Sequence, residues 1–366
     1  MQHTPESLAT ALIDGASLCE RTLFLQPGGC LLSVRSNSEA LIDRLARYFG
    51  HILVEPGNVD VEILAIERDE PQLDIEFTDW RREAGKTSGK DSYADFAEAR
   101  LLRKVRTGMV FLQSEQYRIA AGACLANDNQ VINFVNAQYM NWLQRQGWLI
   151  CHAAGVVSGG RTLAMAGFSG GGKSTLMLHM LEQPGVTYLS NDRLFIRRDD
   201  GQVQAAGIPK LPRVNPGTIV HNPRLHPLIE EHERQRLLEL PQHELWDLED
   251  KYDVMIDELY GAGHIAPGDF QAAPLAAFLV LNWKRDSSRP VRLEQIDIAH
   301  RTDLLAAIMK APGPFLQYRD GSFRKDDEPL QEQPYLDTLE GVPVYEVSGG
   351  VDFDSLQQLV LQEILA

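Results

Sequence analysis

The chain has 366 residues, 44% hydrophobic and 23% charged, with 35 basic against 51 acidic residues and a net charge of −16. That length exceeds the roughly 100–200 residues of a typical domain, so two domains are expected, and the acidity excludes nucleic acid as an expected partner. No segment is long and apolar enough to cross a bilayer, and Met1-Gln2-His3-Thr4-Pro5 lacks the basic and apolar regions of a signal peptide, so the expected location is the cytoplasm.

Residues 1–129 read as an α+β accessory domain. A helix is expected over 38–48, strands over 31–35, 59–66 and 73–77, and a polar loop over 82–92. Cys19, Cys30, Cys124 and Cys151 form no CxxC or Cys/His cluster, the pattern of buried thiols rather than of a disulfide framework or structural zinc. From Ile132 the texture changes. Residues 133–147 carry apolar side chains at helical spacing and stop at Gly147. Residues 148–157 and 162–166 read as two strands joined at Gly159-Gly160, and 174–182 as a helix whose Leu176, Met177, Met180 and Leu181 face the core.

Between that second strand and helix lies Gly167-Phe168-Ser169-Gly170-Gly171-Gly172-Lys173-Ser174, which fits GxxxxGK[ST]. A strand before such a loop and a helix after it are what phosphate binding needs, because the helix N-terminus offers free N–H groups and the positive end of its dipole. The expected nucleotide contacts are Gly167, Ser169, Gly170, Gly171, Gly172, Lys173, Ser174 and Thr175. Lys173 is expected to bridge the β- and γ-phosphates of ATP, and Ser174 to ligate Mg²⁺.

A short strand over 186–189 is followed by Ser190-Asn191-Asp192-Arg193. Ligands of open α/β sheets sit at such strand tips, so Asp192 is the first choice for a metal or catalytic carboxylate, the bland alternative being a turn cap. Asp199-Asp200-Gly201 reads as a hairpin turn. Residues 207–218 hold three prolines, which are expected to forbid a regular helix, together with Lys210 and Arg213. They read either as a rigid loop presenting cations to a phosphoryl group or as a stiffened surface loop. Residues 230–240 form a charged helix, 251–264 a lid or substrate loop, 278–283 a buried strand, 342–347 a strand and 354–365 a helix.

His152-Ala-Ala-Gly-Val-Val, the Gly-Gly hairpin, GFSGGGKST and Ser190-Asn191-Asp192-Arg193 together resemble the bacterial HPr kinase/phosphorylase superfamily, and PKLPRVNPGT with the long N-terminal extension is most similar to the branch called HPr-kinase-related kinase B. The resemblance covers roughly residues 130–220. It implies an α/β fold: a P-loop kinase domain over 130–366, of the HPr kinase and phosphoenolpyruvate carboxykinase-like type, behind the N-terminal α+β domain. It further implies ATP with Mg²⁺, transfer of the γ-phosphoryl group to a hydroxyl acceptor such as a protein serine or a small molecule, and self-association as a homo-oligomer. By position it makes His152, Lys173 and Asp192 catalytic, with Arg213 in place of a downstream arginine and Ser174 and Asp192 at the metal. Two departures stand out. Asn191 replaces the aspartate that serves the family as general base, and Leu211 sits where the family has a glutamate. Either Asp192 takes the base role, or the hydroxyl loses its proton late, or the chain is a poor kinase.

A GTPase is disfavoured because Asn282-Trp-Lys-Arg-Asp286 has an extra residue against Asn-Lys-x-Asp. The rival from another class is a regulatory protein in which a nucleotide orders a partner surface without phosphotransfer, and Asn191 is the residue that favours it.

Overall fold

In the computed structural model, which describes residues 3–81, 89–168, 170–248, 250–265 and 272–365, the chain is a mixed α/β protein divided into two units. One comprises Met1–Trp148 with Ala311–Leu330, the other Leu149–Lys310 with Gln331–Ala366. No helix among the described residues is long and apolar enough to cross a membrane.

The first unit is built on an eight-stranded sheet in the order Leu23–Leu25, Leu32–Ser36, Val61–Glu67, Arg118–Gly122, Val110–Ser114, Ala99–Lys104, Asp91–Asp95, Thr78–Asp79. Helix Glu39–Tyr48 begins at Ser38, whose hydroxyl accepts from the Leu41 N–H. Residues 73–77 were expected as a strand and are not one. Leu73, Ile75 and Phe77 alternate and lie against the core cluster around Leu101 and Leu112, so the period-2 pattern buries one face without joining a ladder. Of the loop expected over 82–92, residues 82–88 lie outside the described residues.

The division of the chain falls later than the expected boundary at 129/130. Helix Asp128–Arg145 belongs to the first unit because the Phe134 ring packs tilted against Phe111, with centroids 5.0 Å apart, and Gln138 donates to Gln113 at 2.7 Å. Ala311–Leu330 joins the same unit through Arg100, which is fully buried. Its guanidinium donates to both Asp95 carboxylate oxygens and to the carbonyls of Pro314 and Arg324, and lies 4.8–5.2 Å from the rings of Trp80, Tyr93 and Phe323.

The second unit contains a nine-stranded sheet. Strand Arg161–Gly167 lies near its middle. It pairs antiparallel with Ala153–Ser158 across Gly159-Gly160, both at positive φ as a two-residue type I′ turn requires, and parallel with Ala273–Leu281. Beyond these lie Val186–Ser190 on one side, and Val344–Ser348 with Arg292–Ile296 on the other. A second branch leaves the start of Ala273–Leu281 through Gln202–Ala206, Leu194–Asp199 and Leu149–Cys151. The segment expected as one strand over 148–157 is therefore two. Leu149–Cys151 pairs in one branch and Ala153–Ser158 in the other, with His152 at the break, where its N–H donates to the Ile308 carbonyl at 2.7 Å. Around the three prolines a short helix, Pro216–Val220, does form, because Pro216 occupies its first turn, where no intrahelical N–H bond is lost.

Arg100→Ala strips the charge partner from Asp95 and the donor from two carbonyls. The expected cost is about 3 kcal/mol, read from urea denaturation of the full chain, with new protease cleavage inside Ala311–Leu330.

Candidate functional site

The loop 167–174 joins strand Arg161–Gly167 to helix Lys173–Met180. The helix starts at Gly172, which has φ 88°, and a Cβ there would lie 2.9 Å from the Phe353 ring. Only glycine meets both conditions. Two side chains from beyond Ala273–Leu281 brace the loop: Trp283 Nε1 donates to the Gly171 carbonyl at 2.9 Å and Arg285 Nη2 to the Gly170 carbonyl at 3.1 Å. The Arg285 guanidinium also lies 4.7 Å from the ring of Trp246, on helix Gln242–Asp247.

Lys173 is folded back into the loop and buried. Its Nζ donates to the carbonyls of Gly167 at 2.6 Å and Phe168 at 3.3 Å. Burial lowers its pKa to about 8, against the opposing attraction of Asp192. Next to it the Ser174 hydroxyl donates to Asn191 Oδ1 at 2.8 Å, and the Thr175 and Thr218 hydroxyls lie 2.9 Å apart.

His152 and Asp192 meet because the chain changes sheet branch at both places. Val186–Ser190 pairs with Ala153–Ser158, whereas Leu194 pairs with Cys151, so Asn191–Arg193 must turn beside His152. Gly155 lets that crossing pack closely, since a Cβ there would reach within 3.0 Å of Leu194. Asp192 takes the left-handed conformation with φ 69°, a strained setting for a non-glycine residue. Its Oδ1 lies 3.0 Å from His152 Nε2 and its Oδ2 3.2 Å from Lys310 Nζ. Desolvation pushes the Asp192 pKa up, but the His152 hydrogen bond and the Lys310 charge outweigh it and hold the carboxyl well below the usual carboxylate range.

His152, Gly170, Gly171, Gly172, Lys173, Ser174, Thr175, Asp192 and Arg213 all line one cleft of ≈ 1640 Å³. Gly167 contributes through its carbonyl under Lys173, and Ser169 lies outside the described residues. Arg213 reaches the cleft but is engaged elsewhere: its Nε pairs with Asp253 Oδ1 at 3.0 Å and its Nη2 donates to the Lys251 carbonyl at 3.1 Å. Lys210 is not among the residues that line the cleft, and burial lowers its pKa to about 8. The segment expected as a lid contains strand Tyr252–Asp253 and helix Ile256–Leu259, and Lys251 lines the cleft. Sequence reasoning missed Lys310, which no motif surrounds, and the pairing of Ser174 with Asn191. The adjacency of Asn191 to the strand tip was the available signal for that pairing.

No protein-family profile matches the chain, and no curated protein matches it. Among solved structures it is similar to the Hpr(Ser) kinase/phosphatase from Coxiella burnetii, at 11% identity and a TM-score of 0.28 over 58% of this chain and 88% of that one. This is a distant structural resemblance without a sequence-family match, and the functional reading rests on the residues themselves.

Gly172→Ala forces a side chain into a left-handed position against Phe353. The expected loss is about 1–3 kcal/mol, measured by chemical denaturation, and indole fluorescence should change as Trp283 loses its carbonyl partner.

Proposed function

We propose that the second unit is a P-loop kinase domain of the HPr kinase and phosphoenolpyruvate carboxykinase-like type, which transfers the γ-phosphoryl group of ATP to a hydroxyl acceptor with Mg²⁺. The observation that carries this reading is one cleft holding a glycine-bounded helix N-terminus, a buried lysine and a carboxylate paired with a histidine.

The residues fit a triphosphate. The first-turn N–H groups of Lys173–Met180 have no acceptor within the helix, and Lys173 now rests on carbonyls it can exchange for phosphate oxygens. Ser174 would hold a magnesium ion together with the nucleotide through its hydroxyl oxygen, and that ion would supply positive charge against the charge that develops on the transferred phosphoryl group. Among the described residues no group of three or more His, Cys, Asp or Glu side chains is placed to hold a metal ion.

On the acceptor side Asp192 takes the proton. The acceptor oxygen forms a bond to the γ-phosphorus, the bond from that phosphorus to the β-bridging oxygen breaks, its electron pair leaves with ADP, and the hydroxyl proton passes to Asp192. A carboxyl held so low is a weak base, sufficient where the transition state is loose and the proton leaves late. His152 and Lys310 orient the carboxylate. The acceptor is a protein serine or a small alcohol. A second reading, regulation by bound nucleotide without transfer, draws on the neutral Asn191 beside Ser174.

Incubation with γ-labelled ATP, lysate and candidate partner proteins separates the two. Label should appear on an acceptor, and Lys173→Ala should reduce it by about 10²–10³-fold. Transfer equal to wild type in that variant, or nucleotide that only alters partner binding, contradicts the kinase reading. Asp192→Ala should lower transfer by about 10²–10⁴-fold while nucleotide binding, followed by calorimetry, is retained in part. Full activity would move the carboxylate role elsewhere.

A further inference from the structure

Adjacent residues at the tip of Val186–Ser190 face different partners. Asn191 is buried at 9% exposure and accepts from Ser174, whereas both Asp192 oxygens are held by His152 and Lys310 on the other side of the turn. Asp192 itself takes the left-handed conformation, with φ 69°.

We propose that Asn191, rather than Asp192, is the positioning residue for the divalent ion that accompanies the nucleotide, and that it makes the protein side of that ion neutral. This rests on the nucleotide-binding reading of the cleft. A hydroxyl has one proton and two lone pairs. With its proton committed to Asn191 Oδ1 at 2.8 Å, Ser174 Oγ presents its lone pairs outward as an oxygen donor. An amide oxygen accepts this proton as a carboxylate would, more weakly, and adds no charge. Asp192 is a poor substitute, because turning it toward Ser174 breaks its contacts to both His152 and Lys310. It also leaves the negative charge of Asp192 on the acceptor side, where a proton has to be taken up.

The two aspects of the pair have separate signatures. Asn191→Asp keeps the shape and the acceptor and adds a charge beside the ion. Asn191→Leu removes the acceptor and frees the Ser174 hydroxyl to rotate. Neither touches the His152–Asp192 pair.

The test uses Mn²⁺ as the probe, titrated into the full chain with a non-hydrolysable ATP analogue, free Mn²⁺ being read by electron paramagnetic resonance. Altering a partner that orients a metal ligand changes affinity by about tenfold or more. Mn²⁺ should therefore bind about tenfold more tightly to Asn191→Asp and about tenfold more weakly to Asn191→Leu, and Asp192→Asn should stay within about twofold of wild type. The double variant Ser174→Ala with Asn191→Leu should bind no more weakly than Ser174→Ala alone, a coupling that a merely structural role would not produce. Loss of Mn²⁺ affinity in Asp192→Asn with wild-type affinity in both Asn191 variants overturns the proposal, as does additivity in the double variant. A wild-type chain that retains the analogue but takes up no Mn²⁺ also overturns it. Failure to bind the analogue at all contradicts the nucleotide reading itself and removes the basis of the proposal.

Discussion

The parallel pairing of Arg161–Gly167 with Ala273–Leu281 sets the position of everything in the cleft. Both strands are largely buried, and both end at the same edge, so the chain turns at Gly167 against Leu281, where a Cβ would come within 3.1 Å of the Leu281 Cβ and carbonyl oxygen. That turn aims the start of Lys173–Met180 over the strand ends. The continuation of Ala273–Leu281 then supplies Trp283 and Arg285, which grip the loop by its carbonyls. Within the loop the Gly171 N–H donates to the Phe168 carbonyl at 3.0 Å, so the loop is held both from inside and from outside.

The second constraint is the branching of the sheet. His152 and Asp192 belong to segments that each leave one branch for the other, and their contact follows from that crossing. Lys310 reaches the same place because the stretch after helix Thr302–Ile308 bridges Cys151 at Met309. The carboxylate is thus set by backbone geometry, with a strained φ at Asp192 maintained by partners on two sides.

Much of this was legible in the sequence wherever the cause is local. Glycines, Lys173 and Ser174 between an apolar run and a helical pattern announce a strand, a loop and a helix in that order, and the hairpins at Gly159-Gly160 and Asp200-Gly201 carry their own turn chemistry. Distant causes left no mark. Residues 73–77 alternate like a strand because one face is partly buried, yet among the described residues they pair with no strand. Ala311–Leu330 belongs with the first unit because Arg100 needs the carbonyls of Pro314 and Arg324, which no periodicity reveals. Lys310 is a lone lysine in sequence and a partner of Asp192 only in space. Asn191 looked like a lost carboxylate, whereas its amide oxygen is the group that meets Ser174.

The central claim is that Lys173, now turned onto the carbonyls of Gly167 and Phe168, holds the terminal phosphates of ATP. A crystal structure of the full chain with a non-hydrolysable ATP analogue and Mg²⁺ tests it most directly. The account predicts the triphosphate wrapped by residues 167–174, with Lys173 Nζ transferred from the Gly167 carbonyl to the phosphate oxygens and the terminal phosphate facing Asp192. Nucleotide bound away from this loop, or bound here with Lys173 still on its carbonyls, would contradict it.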